Sequence, residues 1–315
     1  MPTITDLLQR VERQAVSEWE TTARHEPPDV RESTERDISS PLQTVPAITT
    51  AAESPVAANS SLNDDRLDIF AQFQSIQVSV PSQDQLVCLT DSESLAAEKF
   101  RFLGVRLRHL RRERPLKKVL ITSTIPREGK STVAANLACT LARKKQQRTL
   151  LLEGDVRRPS LSNLFGLKRL PGICEWLQGE HSLMANIYHL EGPNLWILPA
   201  GSASGNPLEL LQSGRLSALM DQLATLFDWV IIDSPPVLPL ADTSVWSRLA
   251  DGILLVARQG TTEKRQLQRG LEALDHKKLI GALLNCSQSS ALSDHYYYNR
   301  PSTAATLGTY NQTEK

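Results

Sequence analysis

Short runs of consecutive apolar residues recur from about residue 86 to residue 290, and longer stretches with helical periodicity separate them. Because each run is apolar on successive residues, it predicts a strand that is buried on both faces. The predicted strands are LVCLT (86–90), KVLIT (118–122), TLLLE (149–153), LWILPA (195–200), WVIID (229–233), GILLVA (252–257) and LIGALLN (279–285). Helices are predicted over 94–114, 131–144, 207–226, 241–250 and 263–276.

The alternation of these strands and helices predicts the fold class. Strands that are apolar on both faces need a layer of helices on each side of the sheet, and their alternation with helices favours parallel neighbours. We therefore predict an α/β domain over residues 86–290, built on a doubly wound, mainly parallel sheet with helices on both faces.

The two ends of the chain differ in composition from this predicted domain. Residues 1–85 are predicted to be an N-terminal extension with a possible short helix at its start. Most of it is predicted to be a disordered linker, because 25–61 is rich in Pro, Ser, Thr, Glu and Ala. Residues 291–315 are predicted to be a flexible tail. Four of the five tyrosines lie in this tail: Tyr296, Tyr297, Tyr298 and Tyr310.

Charge and cysteine usage narrow the class of protein. The 35 Lys and Arg residues balance the 35 Asp and Glu residues, so no nucleic-acid partner is expected from the global charge. The four cysteines are scattered without a CxxC pair, which is typical of reduced thiols in the cytosol. No apolar run approaches the roughly 20 residues of a transmembrane helix, and the N-terminus lacks the apolar segment of a signal peptide. We therefore expect a soluble cytoplasmic protein.

The segment VLITSTIPREGKSTVAANLA (119–138) joins a predicted strand to a predicted helix. This is the context in which a phosphate-binding loop forms, because the backbone amides and the dipole at a helix start attract an anion. The residues expected to contact a nucleotide are Arg127, Glu128, Gly129, Lys130, Ser131 and Thr132. The strict pattern would place a glycine at Thr124, so the match is partial and an ordinary strand–turn–helix stays open.

Two further strands end in carboxylates. In WVIIDSPP the apolar strand ends with Asp233, in the position from which a phosphate-loop protein holds Mg²⁺. LLLEGDVRRP carries Glu153 and Asp155 at the end of its strand, which can lie near the phosphate loop at the carboxyl edge of the sheet. Taken alone, each motif is also compatible with a solvated turn. In combination with the phosphate loop they favour a site for a nucleotide and Mg²⁺.

Together the motifs PREGKST, EGDVRRP, VIIDSPP and YYY resemble, in that order, those of the bacterial tyrosine kinases (BY-kinases) of exopolysaccharide and capsule synthesis and export. The resemblance covers about 86–310 and implies a P-loop NTPase-like fold that uses ATP and Mg²⁺ to phosphorylate the tail tyrosines. The residues that it implies are catalytic Lys130, Glu153 and Asp155, the Mg²⁺ ligands Ser131, Asp155 and Asp233, and Asn285 at the adenine. Within that set, Glu153 takes the position of the base that accepts the tyrosine proton.

The chain departs from the family pattern at three positions. Glu153 replaces an Asp, which moves the carboxylate by about one C–C bond, and positioning errors of roughly 1 Å can cost about 10²-fold in rate. Arg127 replaces a Gly, where it adds positive charge at the phosphates or points to solvent. Gly104 replaces the last arginine of the family's ExxRxxR oligomerisation motif. Self-association is expected, but the oligomeric state does not follow from this incomplete motif.

A strongly basic segment, 99–118, overlaps most of the predicted helix 94–114. It contains nine Lys or Arg residues and a single acidic residue, Glu113. Such a segment is compatible with a solvated helix face, with acidic residues of a neighbouring subunit, or with an anionic membrane. The resemblance implies a separate membrane-anchored activator of the polysaccharide chain-length or export type. We therefore expect a cytoplasmic protein that is recruited to the inner face of the plasma membrane.

Two other functions stay open from the sequence. The first is a P-loop ATPase switch of the Min/Par type, although residues 124–126 lack the second lysine that those ATPases often carry. The second is a degenerate kinase that acts as a nucleotide-dependent scaffold, which the departures at Glu153 and Arg127 allow.

Overall fold

The computed structural model describes residues 70–81, 85–180, 182–238 and 241–286. The predicted N-terminal extension up to residue 69 and the chain from residue 287 onward, with its tail tyrosines, lie outside the described residues. Within the described ranges, no helix is both long enough and apolar enough to cross a membrane.

One eight-stranded sheet forms the centre of the fold. Its strands are β1 (Gln74–Gln77), β2 (Lys118–Ser123), β3 (Thr149–Glu153), β4 (Tyr188–Glu191), β5 (Leu195–Leu198), β6 (Trp229–Asp233), β7 (Gly252–Arg258) and β8 (Leu279–Asn285). Their order in space is β1-β4-β5-β3-β6-β2-β7-β8. The neighbouring strands pair in parallel, apart from the antiparallel pair β4 and β5. The predicted mainly parallel sheet is therefore confirmed.

Helices cover both faces of this sheet. They are α1 (Val87–Thr90), α2 (Leu95–Glu113), α3 (Lys130–Ala142), α4 (Leu161–Leu164), α5 (Ile173–Gln178), α6 (Pro207–Leu211), α7 (Arg215–Leu226), α8 (Asp242–Leu249) and α9 (Lys264–Glu272), with a 3₁₀ turn at Met184–Asn186. Successive residues of the central strands face opposite layers. Leu150 and Leu152 belong to an apolar core with α7, α8 and α9, whereas Leu151 belongs to a core with α2 and α3.

The central strands lie where their apolar runs predict them. β3 and β6 have the predicted bounds, and every residue in both strands is buried. Burial on both faces removes the polar positions that a half-exposed strand would show, so the apolar run matches the strand from end to end.

The strand predicted at 86–90 is wrong, because Val87–Thr90 forms the short helix α1. Leu86 and Cys88 are buried and their neighbours are less so, an alternation that also suits a strand. The backbone needs no sheet neighbour here. The Thr90 amide donates to the Leu86 carbonyl over 3.1 Å, and the Cys88 amide donates to Asn136 Oδ1, also over 3.1 Å.

Other differences concern short or interrupted elements. The single helix predicted at 207–226 is two helices, α6 and α7, separated near Gly214, whose φ of 38° is left-handed. Strands β1 and β4 and helices α4 and α5 were not predicted. Each has only four to six residues, too few to display a period, and the edge strand β1 reads QSIQ. Because β1 begins at Gln74, the sheet starts before the predicted domain boundary at residue 86.

The strand order brings the candidate motifs to one edge of the sheet. β6 lies between β3 and β2, and Asp233 at its end is the register partner of both Glu153 and Ile121. The chain leaves β2 two residues after Ile121 and enters the phosphate loop. Since all three strands are parallel, their carboxyl ends meet at this edge.

Candidate active site

The phosphate loop comprises residues 124–129 and connects β2 to α3. Gly129 caps α3 with a φ of 91°, in the left-handed region that favours glycine. Arg127 also has a left-handed φ, 69°, and it is exposed to solvent. The backbone amides of the first helical turn have no acceptor within the helix. The loop therefore offers N–H donors and the positive end of a helix dipole to an anion.

Thr124, where the strict loop pattern has glycine, packs against another helix. Its residue is fully buried. A Cβ atom built on Gly270 of α9 would lie only 3.0 Å from the Thr124 methyl group. Contact with α9 therefore accounts for the presence of a Thr side chain where the strict pattern has glycine. The phosphate loop forms even though its sequence matches that pattern only in part.

Lys130 is the centre of the site. Its ammonium nitrogen lies 2.9 Å from Asp155 Oδ2 and 3.6 Å from Asp233 Oδ1, with only 12% of its side chain exposed. Burial lowers the pKa of Lys130, but the charges of Asp233 and Asp155 outweigh that effect and raise it. The lysine is therefore held in its cationic form between two carboxylates, Asp233 at the end of β6 and Asp155 in the loop that follows β3.

Asp233 presents a carboxylate without a hydrogen-bond donor. The residue is fully buried, and neither side-chain oxygen accepts a hydrogen bond. Burial raises the pKa of Asp233 to about 6, although the nearby charge of Lys130 lowers it. Buried polar groups normally have hydrogen-bond partners. A carboxylate without one, whose ion pair with Lys130 is as long as 3.6 Å, is suited to a further cation.

The donor set at this edge fits Mg²⁺ bound together with a nucleotide. Asp233, Asp155 and the Ser131 hydroxyl supply hard oxygen ligands of the kind that Mg²⁺ prefers. No group of three or more His, Cys, Asp or Glu side chains suited to a metal occurs in the described ranges. Phosphate oxygens of a bound nucleotide would supply further ligands, as is usual for Mg²⁺.

Asp155 faces the lysine from the end of β3. It is 3% exposed, and its second oxygen, Oδ1, accepts the Arg158 amide over 3.1 Å. Its Oδ2 makes the 2.9 Å ion pair with Lys130. Asp155 is thus a preorganised carboxylate directed at the phosphate loop.

Glu153, two residues earlier, is bonded to the backbone rather than to the lysine. Its Oε1 accepts the amides of Ser160 and Leu161, the latter over 2.7 Å, and its Oε2 accepts the Ala200 amide over 3.1 Å. The residue is 1% exposed, and burial raises the pKa of its carboxyl group above the ordinary value, while these amides lower it. The sequence places Glu153 among the catalytic residues, but the structure pairs Lys130 with Asp155 and Asp233.

The segment 153–157, here called the acid loop, is also held by α8. The Trp246 indole nitrogen donates to the Gly154 carbonyl over 3.1 Å, and the Gly154 amide donates to the Asp233 carbonyl over 2.7 Å. Arg157 makes a two-pronged ion pair with the buried Asp242, over 2.7 and 3.2 Å. Sequence reasoning missed Trp246 and Asp242 because they follow the acid loop by about 90 residues and belong to no motif.

Asn285, predicted at the adenine, lies against the phosphate loop. Its amide nitrogen donates to the Glu128 carbonyl over 3.0 Å, and a Cβ atom on Gly129 would approach that nitrogen to 2.1 Å. Thr132 lies in the first turn of α3, where its carbonyl accepts the side-chain Nδ2 of Asn136 over 2.9 Å. The adenine contact of Asn285 stays a prediction, and the tail tyrosines lie outside the described residues.

A doubly wound sheet whose phosphate loop carries a lysine between two carboxylates defines the class of P-loop nucleotide-binding proteins. Comparison with protein-family models gave no match. Over 218 residues the chain is 34% identical to the tyrosine-protein kinase YwqD of Bacillus subtilis, an alignment of 69% of this chain and 92% of that protein. It is 33% identical over 173 residues to the tyrosine-protein kinase CpsD of Streptococcus pneumoniae, covering 54% of this chain and 76% of that protein.

Solved structures show the same relationship. The chimerical protein CapA2B2 superimposes with a TM-score of 0.62 at 29% identity, over 71% of this chain and all of that chain. The kinase domain of the Escherichia coli tyrosine kinase ETK superimposes with a TM-score of 0.60 at 25% identity, over 71% and 96% of the two chains. The chain belongs to the bacterial tyrosine kinase (BY-kinase) family. These relatives do not favour a Min/Par-like ATPase switch or a degenerate scaffold.

Proposed function

We propose that this protein is an ATP-dependent protein-tyrosine autokinase that phosphorylates its own C-terminal tyrosine cluster and so regulates exopolysaccharide or capsule synthesis and export. The observation that carries the proposal is the Lys130 ammonium between Asp155 and Asp233 at the mouth of the phosphate loop. The acceptors are Tyr296, Tyr297, Tyr298 and Tyr310. In the reaction the tyrosine oxygen bonds to the γ-phosphorus, ADP leaves, and the tyrosine proton passes to a carboxylate.

The residues of the phosphate loop orient the nucleotide. The amides of the loop and of the first turn of α3 donate to phosphate oxygens, and Lys130 neutralises charge on the transferred group. Bound Mg²⁺ supplies further charge neutralisation, and Ser131, Asp155 and Asp233 are the residues that would hold it. Catalysis then depends mainly on positioning and on electrostatic stabilisation.

The geometry favours Asp155 over Glu153 as the carboxylate that contacts the reacting groups. Glu153 already accepts three backbone amides, which tie the end of β3 to the start of α4 and to Ala200. We therefore assign Glu153 to holding the acid loop, and Asp155 to the contact with Lys130 and with bound Mg²⁺. The Glu in place of the family's Asp fits this assignment, because the longer side chain reaches those amides.

The partner that we propose is a membrane-anchored activator of the polysaccharide chain-length or export type, which would bring the kinase to the inner face of the plasma membrane. In support, this chain spans 23% of the succinoglycan biosynthesis transport protein ExoP of Rhizobium meliloti, to which it is 36% identical over 182 residues. It spans 32% of the tyrosine-protein kinase ptk of Acinetobacter johnsonii. A kinase-like region thus occurs within longer chains, one of which is named as a transport protein. Transfer of phosphate between neighbouring molecules is the expected route to the tail.

The basic segment 99–118 is the proposed contact with anionic lipid or with the activator. Five of its basic side chains are engaged within the domain, with backbone carbonyls or with acidic side chains: Arg101, Arg111, Arg114, Lys117 and Lys118. On α2, Phe102 is 62% and Val105 is 56% exposed, beside Arg106. Vesicles with anionic lipid should therefore float the protein at low salt, and neutral vesicles should not. No flotation at low salt would argue against direct lipid contact.

Mapping of phosphate on the chain tests the proposed function. The protein is incubated with ATP and Mg²⁺, with and without a chelator, and its peptides are analysed by mass spectrometry. Phosphate is expected on the tail tyrosines only when Mg²⁺ is present. A variant in which Tyr296, Tyr297, Tyr298 and Tyr310 are all changed to Phe should lose most of it. ATP hydrolysis without any phosphotyrosine would overturn the kinase assignment.

A further inference from the structure

A second loop, residues 259–263 between β7 and α9, is bonded to the phosphate loop. The contact is made by Thr262, which no motif includes and which follows Glu128 by 134 residues. Thr262 is 2% exposed and Glu128 is fully buried. Because both side chains are shielded from water, each must satisfy its polar atoms within the protein.

The Glu128 carboxylate is turned into the protein, beneath the loop that it belongs to. Its Oε2 accepts the Ile125 amide over 2.8 Å, a bond across three residues of the same loop. Its Oε1 accepts the hydroxyl of Thr262. The negative charge of Glu128 is thereby used to close the loop on itself.

Thr262 has donors and acceptors on both sides. Its hydroxyl donates to Glu128 and accepts the Arg258 amide over 2.8 Å. The Arg258 guanidinium in turn donates to the Arg127 carbonyl over 3.3 Å. The end of β7, the second loop and the phosphate loop therefore form one hydrogen-bonded unit.

This hydrogen-bonded unit holds part of the phosphate-loop backbone in a strained conformation. Arg127 has a left-handed φ of 69°, a region in which a residue other than glycine is strained. Such conformations persist where the surroundings fix them. The carbonyl of Arg127 is bonded by Arg258, and that of Glu128 by Asn285. The side-chain bond from Thr262 to Glu128 completes the support from below.

We propose that Thr262 is a positioning residue for the nucleotide phosphates, which acts through Glu128 to keep the phosphate loop in its binding conformation. The proposal rests on the nucleotide-binding part of the proposed function. Thr262 itself makes no contact with the phosphates in this account. Its hydroxyl fixes the buried carboxylate, and the carboxylate fixes the turn from which the loop amides point.

Thr262→Val tests this role, because it keeps the shape of the side chain and removes the hydroxyl. Glu128 Oε1 then loses its donor and the Arg258 amide loses its acceptor. The Kd of ADP, titrated calorimetrically with Mg²⁺, should rise about tenfold, which corresponds to about 1.4 kcal/mol. In autophosphorylation the KM for ATP should rise by a similar factor, with a smaller change in kcat. Thr262→Ser, which restores the hydroxyl, should return the ADP Kd to nearly the wild-type value.

Thr140→Val is the matched control. Thr140 is another buried threonine, whose hydroxyl donates to the Asn136 carbonyl over 2.8 Å in the middle of α3. It should lose stability in a thermal melt while the ADP Kd stays unchanged. An equal rise of the Kd in both valine variants would mean that stability alone is measured, and would overturn the positioning role.

The remaining outcomes separate the two proposals. A folded Thr262→Val protein that binds ADP as tightly as the wild type would overturn the role of Thr262 and leave the kinase proposal intact. A wild-type protein that does not bind ADP at all would instead overturn the nucleotide site, and the inference with it. Failure of Thr262→Ser to restore binding would show that the hydroxyl is not the group that matters.

Discussion

At the scale of single residues, the two carboxylates of the acid loop, Glu153 and Asp155, have different partners. Asp155 contacts Lys130, whereas Glu153 receives three backbone amides from two other segments. Their spacing in the sequence suggests an equivalent pair. The difference arises from side-chain length and from the close approach of Ala200 and the start of α4 to the end of β3.

Variants of Glu153 distinguish a base from a positioning residue. Glu153→Gln keeps an oxygen for the Ser160 and Leu161 amides and loses one bond of three, so kcat should stay within about tenfold of the wild type. Glu153→Ala leaves all three amides without an acceptor and displaces the acid loop, so kcat should fall by about 10²-fold. Phosphotyrosine formation under saturating ATP measures both.

If Glu153 were the base instead, the Gln and Ala variants would lose kcat equally, because neither can accept a proton. Thermal melts of both variants show whether each is folded, and only folded variants enter the comparison.

The buried carboxylate of Asp233 lowers the stability of the folded, nucleotide-free protein. It is a buried carboxylate without a hydrogen-bond donor, and Lys130 retains its ion pair with Asp155 when Asp233 is neutral. Asp233→Asn should therefore stabilise the nucleotide-free protein by about 1–3 kcal/mol while abolishing Mg²⁺-dependent phosphorylation. Thermal denaturation without nucleotide measures the first effect.

The stabilisation should depend on pH in a defined direction. Burial raises the pKa of Asp233 to about 6 in the folded protein, above the value of about 3.9 for an unfolded Asp. The folded state therefore binds the extra proton between these values, and the cost of the wild-type charge is complete only above pH 6. The gain from Asp233→Asn should be larger at pH 8 than at pH 5. A variant less stable than the wild type at pH 8 would contradict this account.

At the scale of elements, α8 and β3 are fitted to each other at Gly154. A Cβ atom on Gly154 would lie 2.8 Å from Trp246 Cε2, which is closer than atoms in a packed core allow. Gly154→Ala should therefore shift Trp246 or the acid loop, destabilise the fold by about 1–3 kcal/mol, and lower kcat. Chemical denaturation and phosphotyrosine formation measure the two effects.

Gly281→Ala in β8 is the control, because its Cβ atom would meet only Leu254 at an ordinary 3.7 Å. It should leave kcat unchanged. If Gly154→Ala also left kcat unchanged, the contact between Trp246 and the acid loop would not contribute to catalysis.

The elements also show what the sequence could predict. β3 and β6 are buried on both faces, so their apolar runs define them fully. The edge strand β1 is mostly exposed and polar, and α1 has the alternating burial of a strand, so local pattern does not identify either. Such elements depend on which neighbours the rest of the chain provides.

The candidate site also contains residues that the sequence predicts and residues that it does not. Lys130, Asp155 and Asp233 stand at the ends of strongly patterned strands or at the start of a helix, so their motifs and the parallel sheet predict that they meet. Thr262 and Trp246 act through contacts across about 90 or more residues. Those contacts follow from the strand order β3-β6-β2-β7, which a single sequence does not specify.

At the scale of the whole molecule, the phosphate loop lies against the end of β8, the last described strand before the tail in the sequence. Asn285, at the end of β8, is bonded to the Glu128 carbonyl, and the tyrosine cluster follows 11 to 25 residues later in the sequence. Phosphate on each acceptor would add about −1.5 to −2 charges. Successive phosphorylation should therefore make the tail acidic and weaken its association with other acidic tails.

The most direct test of the central claim is the rate of tail phosphorylation with ATP and Mg²⁺ in Lys130→Met and in Lys144→Met. The two variants remove the same group, once between Asp155 and Asp233 and once from an exposed position just after α3. Mass spectrometry over time should show phosphate on Tyr296–Tyr298 in the wild type and in Lys144→Met. In Lys130→Met the rate should fall by at least about 10²-fold. Equal rates in Lys130→Met and the wild type would contradict the account.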